Sequence, residues 1–202
     1  PDVVAVSGEL IFESDISDSA TSEGMGFYWN YEKFIRRQEA RCGSVPGVTG
    51  AFYAIRKEAV PDLPVDTLLD DVAIPMHAMA STRGRCIFEA GAIAWDRPSQ
   101  SAGQEGMRKR RTIAGVIQLM ARHPHWCFRR SHPCGSAFFH HKVLRLFAPV
   151  GLGLLLVFPL LDLGSTWAAG VLALQGVFYG LALAGRLTAA RLKPIRLFSI
   201  PY

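Results

Sequence analysis

The sequence predicts a mixed α/β domain followed by a transmembrane helical hairpin, and three observations carry that reading. Short β-branched or apolar runs alternate with helix-periodic stretches through residues 1–128. The 40 residues between Arg145 and Arg186 hold a single charge, Asp162. Charge is also divided along the chain: residues 1–100 carry 9 Lys/Arg against 15 Asp/Glu, and residues 101–202 carry 13 against 2. The net charge of +5 therefore combines an acidic, soluble half with a basic half that brackets apolar sequence. That pattern favours a lipid bilayer over nucleic acid as a partner.

Residues 3–6 form a β-branched run ended by Ser7-Gly8 and read as a buried strand. Residues 13–26 are rich in Ser, Asp and Gly and read as a mobile loop. Residues 27–41 place Phe27, Tyr31, Phe34 and Ile35 at helical spacing, and residues 43–50 break that helix. A second short strand falls at 51–55 and a turn at 61–64. Asp66-Thr67 precedes a helix-periodic stretch, 68–79, in which Pro75 is expected to kink or shorten the helix. Residues 85–88 and 92–95 read as two strands around a Glu-Ala-Gly turn. Residues 107–122 read as a basic helix with an apolar stripe of Ile113, Val116, Ile117 and Met120.

The apolar tail divides into 16 uncharged residues, 146–161, and 23 more, 163–185. A spanning helix needs about 20, so two helices joined at 162–165 fit, the first extended by Val143 and Leu144 with Lys142 and Arg145 snorkelling. Arg129 and Arg130 lie before the pair, and Arg186, Arg191, Lys193 and Arg196 after it, which places both ends in the cytoplasm. The expected division is a soluble part at 1–128, a basic juxtamembrane segment at 129–145, two spans at 146–186, and a cytoplasmic segment at 187–202 leading to a further membrane element. A buried helical hairpin of a soluble protein is the alternative. Cys42, Cys86, Cys127 and Cys134 show no close pairing motif, as in a reducing compartment. The chain opens on Pro1 within an apolar run, and we expect it to be part of a longer protein.

Four groups of residues could carry chemistry. In Asp70-Asp71 one carboxylate could be tuned as a base by the other, or the pair could cap a helix. The run 108–111 sets four cations at a helix start, suited to a diphosphate or simply to solvent. His123, His125, Cys127, His132 and Cys134 cluster in a way that invites zinc, although their spacing matches no strong ligand pattern. Thr49-Gly50-Ala51 allows close backbone approach to a ligand, or is a turn before a strand. Phosphate-binding Gly loops and a serine nucleophile elbow are absent from the sequence.

Taken in order, residues 26–34 (GFYWNYEKF), 43–56 (GSVPGVTGAFYAIR), 69–72 (LDDV), 92–95 (AIAW), 108–115 (RKRRTIAG) and 141–145 (HKVLR) resemble inverting family 2 glycosyltransferases of the cellulose, chitin and hyaluronan synthase type. The resemblance covers nearly the whole chain. It implies a partial GT-A-like domain (a nucleotide-diphospho-sugar transferase fold) at an inner membrane, multi-pass, with the catalytic domain cytoplasmic. Asp71 stands where the family has its catalytic base, and Asp70 where the family has Glu. In the family's Gln-x-x-Arg-Trp motif, Arg111 matches the Arg, while Arg108 replaces the Gln and Thr112 the Trp. The resemblance implies that Arg111 and Arg108 hold the donor diphosphate and that Thr49, Gly50 and Thr112 face the acceptor. The loss of the Trp removes a sugar-stacking platform. The implied partners are a nucleotide-sugar donor, a saccharide or lipid-linked acceptor and the bilayer. The implied cofactor is a divalent metal, Mg or Mn, bound through an Asp-x-Asp motif that is expected upstream of Pro1; Asp15 to Asp18 has the wrong spacing for it. The rival reading is a non-catalytic scaffold or sugar-binding subunit derived from a transferase.

Overall fold

The structure, a computed structural model, describes residues 2–12, 20–96 and 102–188, which fall into two compact units. The first contains strands β1 (Val3–Phe12), β2 (Tyr53–Ile55) and β3 (Arg85–Asp96). With them are helix α1 (Ala20–Cys42) from Tyr31 onward, α2 (Asp70–Thr82), α3 (Ala102–Arg122) and the short α4 (Gly135–Phe138). The second unit holds the start of α1, α5 (Ala148–Leu160) and α6 (Thr166–Thr188). The expected segment 187–202 lies, from residue 189, outside the described residues, as do residues 13–19 of the expected loop.

The sheet has the order β2-β1-β3, with β1 antiparallel to β2 and parallel to β3. β1 does not end at Ser7-Gly8 but runs through it. A Cβ on Gly8 would lie 2.5 Å from Phe52 Cδ1 and 2.7 Å from the Ala92 carbonyl oxygen. This glycine therefore allows close approach of two strands rather than breaking one. The two strands expected at 85–88 and 92–95 are one strand with a bulge: Gly8 pairs with Glu89, and the next residue, Glu9, pairs with Ile93. Within the bulge the Gly91 N–H donates to Glu89 Oε1 at 2.9 Å.

α1 begins at Ala20, so residues 20–26 are helical where a loop was expected. Tyr31 and Phe34, two of its expected apolar anchors, are exposed, and its inward stripe is Glu32, Arg36 and Glu39 instead. The Arg85 guanidinium donates to the carbonyls of Ala40 and Gly43 at 3.0 and 2.9 Å and closes the C-terminus of α1.

α2 starts at Asp70, two residues later than expected, and continues past Pro75. Proline has no N–H for the carbonyl four residues back, here that of Asp71. That oxygen instead accepts the Val48 N–H at 2.8 Å. The residue expected to disturb the helix thus frees the acceptor that docks the loop before β2. In α3 the apolar stripe is only partly inward: Val116 is buried and Met120 half-buried, but Ile113 and Ile117 are exposed, and Gly115 and Leu119 complete the packed face. The turn angle of 100° per residue explains this, since 115, 116 and 119 share a face that excludes 113 and 117.

Met76, Met79, Val45, Val48, Cys86, Leu119, Trp126 and Phe138 form the centre of one core, with residues C-terminal to α3 built into it. The His/Cys cluster serves that core. His132 Nε2 lies 2.9 Å from the Met76 carbonyl, and its Nδ1 accepts the Cys134 N–H at 3.0 Å, an arrangement met by the neutral tautomer with hydrogen on Nε2. The Cys134 thiol donates to the Ser44 carbonyl at 3.3 Å, and His123 stacks on Trp126 with ring centroids 4.2 Å apart. These bonds engage His132 and Cys134, two of the five residues of the cluster. Among the described residues no group of three or more His, Cys, Asp or Glu could hold a metal.

In the second unit α5 and α6 pack on each other across a turn at 161–165. Leu152, Leu154, Leu155, Leu174 and Leu183 are all exposed. The 13 residues of α5 fall short of the length needed to cross a bilayer. The helical run Gly135–Leu160, with 26, and Thr166–Ala184, with 19, are each long and apolar enough.

Candidate functional site

The site is built around the start of α2. Its N-cap residue is Leu69, which makes no side-chain cap bond, so Asp70 and Asp71 occupy the first turn, where their charge complements the helix dipole. Asp70 is exposed. Asp71 is turned inward: its Oδ1 is buried and accepts no hydrogen bond among the described residues. Burial raises the Asp71 pKa above the usual 3.8 and the Asp70 charge adds to the rise, while Lys142, Arg36 and Arg111 oppose it.

α3 clamps the chain that enters α2. A Cβ on Gly115 would lie 2.8 Å from Leu69 Cβ, so only glycine permits so close a crossing. One turn on, Gln118 accepts the Leu68 N–H at 3.0 Å and donates to the Asp66 carbonyl at 2.9 Å, and Arg122 pairs with the Asp66 carboxylate. Arg111 stands one turn before Gly115 on the same helix, and its charge reaches Asp71. Arg108 is exposed a turn further back, and the Thr112 hydroxyl bonds to the Arg108 carbonyl at 3.0 Å along its own helix.

The loop before β2 supplies the other wall. Gly50 is exposed, and a Cβ there would lie 3.7 Å from Asp71 Cβ. Thr49 lies behind it, buried. Its N–H donates to Ser7 Oγ at 2.9 Å, and its hydroxyl donates to the Gly8 carbonyl at 2.9 Å and accepts from Arg36 Nη1 at 3.0 Å. Thr49 thus pins the loop to β1, and its hydroxyl is already engaged. Of the residues singled out from sequence, Gly50 lies against Asp71 and Thr49 is buried behind it, while Asp70, Arg108, Arg111 and Thr112 are all exposed.

Sequence reasoning missed the charge cluster next to this site. Glu32, 4 % exposed, receives His141 Nε2 at 2.8 Å, Arg145 Nη2 at 3.2 Å, Arg36 Nε at 3.6 Å and Lys142 Nζ at 3.7 Å. His141 Nδ1 lies 2.9 Å from Glu39 Oε1, so this ring bridges two carboxylates. Burial acts to raise the Glu32 pKa, but the His141 hydrogen bond and the charges of Lys142, His141 and Arg36 outweigh it and hold the carboxyl far below its usual 4.5. Lys142 and Arg145 therefore pair with Glu32 inside the first unit, where snorkelling to a lipid surface was expected, because a carboxylate within 4 Å attracts both cations. The signal that could have found them is Glu32, Arg36 and Glu39 at i, i+4 and i+7 on one helix face, together with the cation-rich stretch 141–145.

No protein-family model matches the chain, and no curated protein matches it either. Among solved structures it is similar to the mannosyltransferase PcManGT from Pyrobaculum calidifontis, determined in complex with GDP-Man and Mn2+. The two share 21 % identity at a TM-score of 0.60, over 99 % of this chain and 51 % of that one. The likeness is one of fold: this chain has a glycosyltransferase-like α/β architecture and spans about half the length of that protein.

Proposed function

We propose that the chain is the acceptor-side part of an inverting, membrane-bound family 2 glycosyltransferase that moves a hexose from a nucleotide-sugar donor to a saccharide or lipid-linked acceptor. The observation that carries this reading is Asp71, a sheltered carboxylate with a raised pKa and an unbonded buried oxygen, set against the Arg111 charge. A buried polar atom without a partner costs about 1–3 kcal/mol, and functional sites are where such a cost persists. The glycosyltransferase-like fold supports the same reading.

In the proposed reaction Asp71 takes the proton of an acceptor hydroxyl as its oxygen attacks the anomeric carbon of the donor. The bond from that carbon to the diphosphate oxygen breaks, the electron pair leaves with the diphosphate, and the anomeric centre inverts. Arg111 neutralises charge on the leaving group. Gly50 leaves room for the acceptor beside Asp71. A divalent ion of the kind seen in the mannosyltransferase would screen the donor diphosphate. Among the described residues no group fits such an ion. The apolar helices would anchor the enzyme in the inner membrane with its catalytic domain in the cytoplasm.

The test uses membranes carrying the longest native protein that contains this sequence and a panel of radiolabelled nucleotide sugars. Asp71→Asn is expected to lower transfer by about 10²- to 10⁴-fold. Wild-type rates in that variant would remove Asp71 as the base. Absence of transfer by the folded wild-type protein from every donor would favour the scaffold reading.

A further inference from the structure

The loop that walls the site, residues 47–50, packs on α2 through its backbone and on β1 and α1 through one side chain. A Cβ on Gly47 would lie 3.0 Å from Val72 Cγ2 and 3.4 Å from the Asp71 carbonyl oxygen, and one on Gly50 3.7 Å from Asp71 Cβ. Val48 donates its N–H to the same carbonyl at 2.8 Å. The loop backbone therefore lies flush on the helix turn that carries Asp71. The side chain is that of Thr49. Its hydroxyl donates to the Gly8 carbonyl at 2.9 Å and accepts from Arg36 Nη1 at 3.0 Å and Ser7 Oγ at 3.2 Å. One hydrogen and two lone pairs are then all in use, and none is left for a ligand.

Arg36 is the charged partner in this set. It lies on α1, 13 positions before Thr49, and its side chain is 11 % exposed. One turn earlier on the same helix, the buried Glu32 carboxylate lies 3.6 Å from Arg36 Nε. Glu32 is itself anchored by His141 Nε2 at 2.8 Å and Arg145 Nη2 at 3.2 Å. A guanidinium is a rigid planar fork, so a carboxylate at its Nε edge also directs its Nη1 hydrogens. A bond donated by a cation is stronger than one between neutral groups, and little water reaches this one to compete with it. Contacts therefore run unbroken from Glu32 through Arg36 and Thr49 to the backbone that lies against Asp71.

We propose that Arg36 is a positioning residue for the acceptor: its guanidinium, steadied by Glu32, fixes Thr49 and with it the loop 47–50, so that Gly50 keeps the acceptor's place beside Asp71 open. The inference rests on the reading of Asp71 as the base and of Gly50 as the acceptor's wall. Arg36 acts through Thr49 and has no part in the bonds made or broken. The order of the loop and of the first turn of α2 go together, because the Asp71 carbonyl, which Pro75 leaves without a helical donor, is bonded by Val48.

The test reads loop order independently of turnover. The 202-residue chain is solubilised in detergent, and amide hydrogen exchange is followed at single residues by mass spectrometry with electron-transfer fragmentation. The N–H groups of Val48 and Thr49, which donate to the Asp71 carbonyl and the Ser7 hydroxyl, report the loop, and those of Met76 and Met79 within α2 report the domain. Arg36→Met is expected to speed exchange at Val48 and Thr49 about tenfold, the loss of one charged hydrogen bond, with Met76 and Met79 unmoved. Arg36→Lys, which keeps the charge without the planar fork, is expected to fall between Arg36→Met and wild type. In a Thr49→Val background, where the bond has no acceptor, Arg36→Met should not change the loop amides further. In the transfer assay Arg36→Met should raise the KM for the acceptor by more than that for the donor. Unmoved loop amides, acceleration shared equally by loop and α2, or equal changes in the two KM values overturns the proposal. If Arg36→Met does not fold, loop amides unmoved in Arg36→Lys overturn it. Full transfer by Asp71→Asn would instead remove the base assignment and leave the measured loop order standing, so the two failures are distinct.

Discussion

Glu32 and Asp71 are carboxylates sheltered within the same unit, and their surroundings differ in almost every respect. Glu32 is ringed by Arg36, His141, Lys142 and Arg145, and those partners overcome the cost of burial so that it remains ionised well into acid. Asp71 keeps one oxygen buried and unbonded, and burial prevails over the cations around it. The first arrangement fastens α1 to the residues after α4 and contributes stability. The second costs stability and leaves a lone pair open, as the proposed general base would require.

The contrast is broken most directly at its functional end. Asp71→Asn should lose activity by the factor given above while its unfolding midpoint stays the same or rises, because an amide removes a poorly solvated charge; chemical denaturation in micelles, followed by tryptophan fluorescence, checks this. A clear loss of stability would show that Asp71 is structural after all. Glu32→Gln should do the reverse and lower stability by about 3–5 kcal/mol, since it strands buried cations. A variant as stable as wild type would mean the cluster is well enough hydrated to contribute little. Smaller in effect is Gly115→Ala, whose methyl would lie 2.8 Å from Leu69 Cβ. Overpacking of this kind costs about 1–3 kcal/mol. Because it pushes α3 away from α2, transfer should fall further than stability does, and equal losses would argue that Arg111 is not held by this crossing.

Acid titration sharpens the comparison, because the pKa shifts of the two carboxylates have opposite signs. The folded pKa of Glu32 is depressed, so its contribution is complete above 4.5 and is lost as pH falls towards the folded value. That of Asp71 is raised, so its contribution is present below 3.8 and is lost as pH rises through the folded value. Stability of Glu32→Gln should therefore depend less on pH below 4.5 than wild type does, and that of Asp71→Asn should fall more steeply in acid. His132 adds an earlier loss. Burial lowers its pKa from 6.5, so its contribution is complete above 6.5 and declines as pH drops below that value. Replacing it by Gln should flatten that part of the profile.

Much of this was legible locally. The α/β alternation, the helix bearing 108–111, the acidic pair opening α2 and the two apolar helices all follow from periodicity and composition over windows of ten to twenty residues. What escaped depended on distant partners. The bulge at 90–92 exists only in the pairing of β3 with β1, and nothing within 85–96 specifies that pairing. Gly8 looked like the end of a strand because the Phe52 ring and the Ala92 carbonyl that press on it lie far away in sequence. Pro75 looked disruptive because the N–H that takes its place at the Asp71 carbonyl belongs to Val48.

By itself, then, the sequence determined the alternation of helical and extended segments and where lipid-compatible helices lie, because those properties arise from neighbours along the chain. Only the tertiary structure decided which charges meet. Glu32 and His141 are separated by 109 positions, and Arg145 reaches the same carboxylate across 113. Whether a lysine near an apolar helix faces lipid or a buried glutamate depends on what the fold places within a few ångströms of it, since electrostatic attraction in a sheltered site is set by distance in space.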